Sequence, residues 1–194
     1  MHDIEPYYQW RDHYVASEDS KSPLYGRIYD EFYFTNTIYN YYIHPQWDFF
    51  GSSTLYLKIL YTDYSRRYSI IELIGEWNDC LYSDIMTLRG EITDLLQEQG
   101  ISRFILICEN VLNFHAGDDN DYYEEWHEMV SDEKGWIAIV NPLEHVEREM
   151  LSYHLQDYVH ILTGSSWRGN RPQSLYTWVE EQLFSQKPKM LRVG

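Results

Sequence analysis

The hydrophobic pattern along the chain changes period several times, and each change marks an element. Leu55, Leu57, Ile59 and Tyr61 alternate with Tyr56, Lys58 and Leu60, the period of two that a strand requires. A polar, turn-like stretch at 63–67 separates this run from YSIIELIGE at 68–76. The second run is β-branched, and the pair predicts a hairpin. Gly75 inside it marks a bulge or a close backbone approach. Asn78 or Asp79 then caps a helix whose Leu81, Ile85, Leu88, Ile92, Leu95 and Leu96 recur at helical spacing, and Gly100 ends it. Residues 104–108 are an unbroken apolar run without periodicity. A run of that length suits a central strand covered on both faces, as in a parallel sheet.

Past this strand come Glu109 and Asn110, a polar loop, and a helix over about 121–131 with Trp126, Met129 and Val130 on one side. A turn at 132–135 leads to an apolar strand at 136–140. Asn141-Pro142 opens a helix in which Val146, Met150, Leu151, Leu155 and Val159 face inward. Residues 163–173, rich in Gly, Ser and Arg, read as a linker. Ser174 starts a last short helix with Leu175, Trp178, Val179 and Leu183 on its apolar face. The first fifty residues differ in kind: they are crowded with Tyr, Trp and Phe, too aromatic for a disordered tail. Such a segment lies across its own core or joins a partner or a second copy of the chain. The chain therefore divides into an aromatic extension (1–53), an α/β domain with a mixed sheet (54–162), and a linker with a C-terminal helix packing on that domain (163–194).

The order hairpin, helix, strand, helix, strand, helix is carried by SIIELIGEW, NDCLYSDIMTLRGEITDLLQEQG, RFILICEN and GWIAIVN. It resembles the STAS-like fold of anti-sigma-factor antagonists over positions 54–161. Right-handed crossovers make the later strands parallel. The resemblance implies a non-enzymatic bacterial protein of regulation or assembly that docks a protein partner through the loop after its central strand. In that family an Asp-Ser or Asp-Thr pair follows the strand, and phosphorylation of the hydroxyl breaks the complex. Here the matching positions are Glu109-Asn110, and neither Ser nor Thr occurs between Arg103 and Val130. The switch does not carry over, and the docking face remains: Glu109, Asn110, Asn113, His115, Asp118, Asp119 and Asp121. Asp118, Asp119, Asp121, Glu124 and Glu125 place fixed negative charge where the family places a removable phosphate.

Composition narrows the partners. Fifteen Lys and Arg against thirty-one Asp and Glu give a formal charge of −16, which repels phosphate backbones and anionic lipid and disfavours nucleic acid and membranes. Cys80 and Cys108 are the two cysteines, placed on a helix and in a buried strand, where neither reads as a metal pair or an exposed nucleophile. No signal peptide or membrane-length apolar run is visible, so a cytoplasmic location is expected.

Chemistry has fewer candidates. His115, beside Asp118 and Asp119, has the ingredients of a general base or a metal ligand. The run Gly117-Asp118-Asp119-Asn120-Asp121 lacks the ligand alternation of a calcium loop, and capping by Asp119 or Asp121 explains most of it. Glu124 with His127 and His145 with Glu149 are single pairs, short of a di-iron set. No nucleophile elbow, P-loop, dinucleotide fingerprint or zinc spacing appears, and no cofactor is expected. The basic residues Arg168, Arg171, Lys187, Lys189 and Arg192 contrast with the acidic body. Two alternatives to docking stand. One is a small-ligand or lipid site between the aromatic segment and the sheet; the other is a metal-assisted enzyme at His115.

Overall fold

The computed structural model describes residues 3–30 and 32–185; Lys187, Lys189 and Arg192 lie outside them. Two short strands, β1 (Thr37–Ile38) and β2 (Tyr41–Tyr42), form a small hairpin within the aromatic region. The main sheet follows: β3 (Leu55–Asp63), β4 (Tyr68–Asn78), β5 (Arg103–His115), β6 (Trp136–Val140) and β7 (His160–Leu162), in that spatial order. β3 pairs antiparallel with β4, and the remaining neighbours are parallel. This is a mixed α/β fold, the class that the hydrophobic pattern predicts. β5 sits in the middle of the sheet with Phe104 to Cys108 fully buried, as the aperiodic run requires.

The helical stretches are α1 (Asp79–Tyr82), α2 (Asp84–Leu88), a π-helical turn (Arg89–Thr93), α3 (Asp94–Glu98), α4 (Asp121–Asp132), α5 (Glu144–Ser152) and α6 (Pro172–Ser185). α2 to α5 contribute to one core with Leu73, Phe104 and Leu106. The opposite face carries Ile70, Ile105, Ile107 and Val140, covered by Trp10, Trp167 and α6 through Leu175, Tyr176 and Val179. A third, smaller core joins Ile38, Ile43 and Trp47 to Tyr56 and Ile74.

Several expectations need correction. The helix predicted from Asn78 to Gly100 breaks at Ser83, which adopts φ 51°. Asp79 Oδ1 accepts from Ile85 N–H at 2.8 Å and Asp84 Oδ2 from Asn78 N–H at 2.7 Å. Carboxylates that capture nearby backbone donors compete with the helical ladder. Ile85, Leu88, Ile92 and Leu96 are buried as predicted, whereas Leu81 and Leu95 are exposed. Met129 and Leu151 are exposed as well. α5 stops at Ser152 rather than running to Val159; His154 turns at φ 60° into a 3-10 turn (Leu155–Asp157) that brings Leu155 and Val159 into the core and leads to β7. The stretch 163–173 is no free linker, because Trp167 is 2% exposed.

Gly75 holds the corner where β4, β3 and the β1–β2 hairpin meet. Its φ is +117°, and a Cβ there would stand 2.2 Å from Thr54 O and 2.6 Å from Ile38 Cδ1. Gly75→Ala is expected to cost about 2–4 kcal/mol through forced backbone movement. Gly90→Ala, in open space within the π-helical turn, is expected to be neutral or to gain about 0.5–1 kcal/mol. Urea unfolding of the two variants checks both signs; a neutral Gly75→Ala would refute the close approach.

Candidate functional site

The central strand is longer than its apolar run. β5 continues to His115, so Glu109, Asn110, Asn113 and His115 are strand residues and not members of a loop. The physical reason is its neighbour: β4 is eleven residues long and pairs with β5 as far as Asn78 with His115. β6 ends opposite Ile107, so residues beyond it keep a strand partner on one side alone. On the freed side, His145 Nε2 of α5 meets the Leu112 carbonyl oxygen at 2.7 Å. The register against β4 slips twice, between Ile107 and Asn110 and between Val111 and Asn113. Each slip inserts one extra residue, as a bulge does.

These bulges sort the predicted residues into two groups. Glu109 turns into the molecule, where Trp167 Nε1 and Asn141 Nδ2 each donate to its Oε1 at 2.8 Å. Arg168 reaches its Oε2 through Nε at 3.2 Å. The same guanidinium donates through Nη2 to Glu72 Oε1 at 2.9 Å. Glu72 is 0% exposed. Its Oε2 accepts from the backbone N–H of Tyr7 at 2.8 Å, and the Tyr7 hydroxyl accepts from Gly169 N–H at 2.7 Å. The rings of Tyr7 and Trp167 flank Arg168, their centroids 5.6 and 4.6 Å from its guanidinium carbon. Burial pushes the Glu72 carboxyl up, and the Tyr7 N–H and the Arg168 charge pull it back. Glu109 therefore belongs to an internal lock that joins both ends of the chain to the sheet.

The second group stays at the surface. Asn113 Nδ2 donates to Glu76 Oε1 at 3.0 Å, and the Tyr39 hydroxyl donates to Glu76 Oε2 at 2.8 Å. His115, Asp118, Asp119 and Asp121 are exposed, while Asn110 is half-buried. The cap of α4 is Asn120, without a side-chain capping bond, and not Asp119 or Asp121 as expected. Asn120 instead donates through Nδ2 to Tyr153 O at 2.8 Å. Among the described residues, no three His, Cys, Asp or Glu side chains are grouped to hold a metal ion, and no helix is long and apolar enough to cross a membrane.

A buried carboxylate lies behind this surface and shapes it. Asp79 receives Trp77 Nε1 at 3.0 Å and Ile85 N–H at 2.8 Å on Oδ1, and the Tyr123 hydroxyl at 2.6 Å on Oδ2. Burial raises its pKa to about 6, against the pull of those three donors. Burial also raises Asp84 and the Cys108 thiol, which leaves the latter inert. Sequence reasoning missed Glu72, Asp79, Asn141 and Arg168 as organising residues. One signal was available: an isolated glutamate inside a β-branched run implies a buried charge with a distant partner.

Removing Arg168 as Arg168→Leu is expected to cost about 1–3 kcal/mol, less than breaking a fully buried pair, because its side chain is 44% exposed. The loss should be larger at pH 8 than at pH 5, where Glu72 can take up a proton. Equal losses at both pH values in urea unfolding would contradict the lock. For Asp79 the sign runs the other way from an ordinary salt-bridged aspartate. Its folded pKa, about 6, lies above the usual 3.8, so the folded state gains a proton first and stability rises as pH falls through 6. Glu72 and Asp84 shift in the same direction, so the informative quantity is a difference. Asp79→Asn should flatten the slope of stability against pH between 7 and 5, with wild type and variant converging at the acid end. Parallel curves would refute the assignment.

No protein-family model matches the chain, and no curated protein is significantly similar to it in sequence. Among solved structures, a protein from Thermotoga maritima described as an anti-sigma factor antagonist superposes with a TM-score of 0.43 at 17% identity, covering 64% of this chain and 92% of its own. An overlap of that extent carries no functional information by itself.

Proposed function

We propose that this chain is a protein-interaction module of a regulatory or assembly system, docking a partner through the surface at the far end of β5. What supports this reading is the exposure of apolar groups and of acidic residues in the segments around the far ends of β4 and β5. Tyr39 and Asn113 meet on Glu76, and Tyr82 lies near enough to act electrostatically on the Tyr39 phenol. Leu81 is 72% exposed, and Tyr82 and Leu112 are exposed too. Asp118, Asp119 and Asp121 stand exposed at the edge. An apolar centre with a charged rim is the anatomy of a protein interface, in which the rim sets specificity and encounter rate more than affinity. His115 and the aspartates sit on an open strand end and loop, which favours docking over catalysis.

The acidic rim selects a basic partner surface and fixes it in one binding state, since the segment holds no Ser or Thr to phosphorylate. The aromatic region adds a second contact: Phe32, Tyr33, Tyr41 and Tyr42 are exposed and would meet the same partner or a second copy of the chain.

The test is affinity capture with wild type beside Asp118→Asn/Asp119→Asn/Asp121→Asn and beside Leu81→Ala/Tyr82→Ala. Both variants change exposed positions and should keep stability within about 1 kcal/mol of wild type. A partner held through this face should be lost from the Leu81/Tyr82 variant and should bind the triple variant with a weaker salt dependence. Partners retained equally by all three proteins would sink the proposal. Light scattering of wild type against Tyr41→Ser/Tyr42→Ser reports separately on self-association; a wild-type mass of one chain would exclude the second copy.

A further inference from the structure

The outer edge of the sheet carries a feature that docking does not use. Among the described residues, β3 has no further strand beside it, and an antiparallel bridge covers its edge, Asp48 with Leu57, with N–H to O distances of 2.8 and 3.1 Å. Next to that bridge, Lys58, Ile59 and Leu60 line a cavity of about 300 Å³ closed on the other side by the N-terminal segment, including Tyr7, Arg11 and Val15. A volume of this size suits a small organic molecule.

The charges around the cavity are unusual for this chain. The Lys58 side chain is 13% exposed, and its Nζ stands 3.1 Å from Asp48 Oδ2. It also lies 3.6 Å from the centroid of the Tyr29 ring. Asp48 is itself buried and is shared: its Oδ1 accepts from the Tyr29 hydroxyl at 2.8 Å and pairs with Arg27 Nη1 at 3.4 Å. One carboxylate therefore answers two cations. Arg11 adds a third, and its Nη2 donates to a neutral group, Gln46 Oε1, at 3.1 Å. Burial lowers the Lys58 pKa, and Arg11 and Arg27 lower it further, which Asp48 opposes. Among the described residues, the charged groups that line the cavity are two cations, Arg11 and Lys58, and one carboxylate, Glu18, and Asp48 next to Lys58 is offset by Arg27. A surplus of one positive charge persists inside a protein of net charge −16.

We propose that this cavity binds a small monocarboxylate with an aromatic or branched apolar body. The carboxylate sits between Arg11 and Lys58, and the body lies against Val15, Ile59 and Leu60. Arg11 presents the planar donor fork that matches a carboxylate. The surplus of a single charge fits a monoanion, and the acidic surface beyond disfavours a phosphate ester carrying two.

The experiment is amide chemical-shift mapping of the full chain with phenylacetate, 3-methylbutanoate and benzoate, each beside its neutral amide and beside inorganic phosphate. At least one acid should shift amides of residues 11–18 and 57–60 with a dissociation constant on the order of 1 mM, the level expected of a small fragment in a preformed pocket. Its amide should bind about tenfold more weakly or worse, as should Arg11→Gln, whose exposed position keeps the fold intact. Val15→Trp, which fills the cavity, should abolish the shifts. Three outcomes overturn the proposal: no acid shifts these amides, the amide binds as well as the acid, or Arg11→Gln binds unchanged. Tighter binding of phosphate than of every acid would also overturn it.

Discussion

A single buried carboxylate, Glu72, sets the terms for one whole face of the sheet. It stands in the middle of β4 with no solvent contact. An unpaired ion there would cost several kcal/mol. The chain supplies its counter-groups from both ends: Tyr7 N–H from 65 residues upstream and Arg168 from 96 residues downstream. Once Arg168 is fixed, Trp167 follows, and its indole N–H finds Glu109. Tyr7 brings Trp10, whose Nε1 donates to Asn170 O at 2.7 Å. Tyr7 then packs edge to face on Trp10 and Trp167, and the two indoles meet tilted at 59°, with centroids 4.8 to 5.4 Å apart. This cluster shields Glu72 from water, while Arg168 keeps 44% of its side chain exposed, which tempers their attraction. The start of the aromatic extension and the Gly-Ser-Arg stretch thus share one core through Trp10 and Trp167.

That lock also explains how much of the fold was legible. The run at 104–108 announced a strand buried on both faces because burial there is simple hydrophobic exclusion, and hydrophobicity is written residue by residue. The continuation of β5 was hidden. Residues 109–115 keep one strand neighbour, carry two bulges, and alternate Val111 and Phe114 inward with polar groups at a broken period. A bulge resets the alternation, so no constant period survives to be read. The break at Ser83 was hidden for a related reason. Leucine spacing is indifferent to whether Asp79 takes the Ile85 N–H from the ladder. β7, with three residues, is too short for any pattern.

The candidate site divides in the same way. Asn113, His115 and the three aspartates were expected on the surface as a polar stretch after the central strand, and His115 and the aspartates are exposed while Asn113 is half-buried. Glu109 shares that polarity and yet turns inward, because its partners Asn141, Trp167 and Arg168 lie 32 to 59 residues away. Pairings across such separations leave no local trace. The same holds for Lys58, which alternation assigns to the polar side of β3 and which the N-terminal segment then covers. Long-range cover, more than any element boundary, is what one sequence conceals.

The outward face depends on buried chemistry as well. α1 is four residues long and has no packing stripe of its own; of its residues Asp79 is the buried one. Its orientation comes from Asp79, held by Trp77, Ile85 and Tyr123, with Trp77 and Tyr123 stacked at 6.4 Å. The αL turn at Ser83 is the backbone consequence of that grip. Without it, Leu81 would be free to continue a regular helix toward the core side, as its spacing predicts. The burial of Asp79 disfavours its charged form, which is why its pKa stands near 6. In exchange, an otherwise unstable single turn is fixed where it exposes Leu81 and holds Tyr82 near Tyr39. Strain and desolvation concentrated behind a presenting surface are a common mark of a functional site. The cost here falls on the residue that aims the exposed apolar groups. That coincidence ties the interior of this protein to the face proposed for its partner.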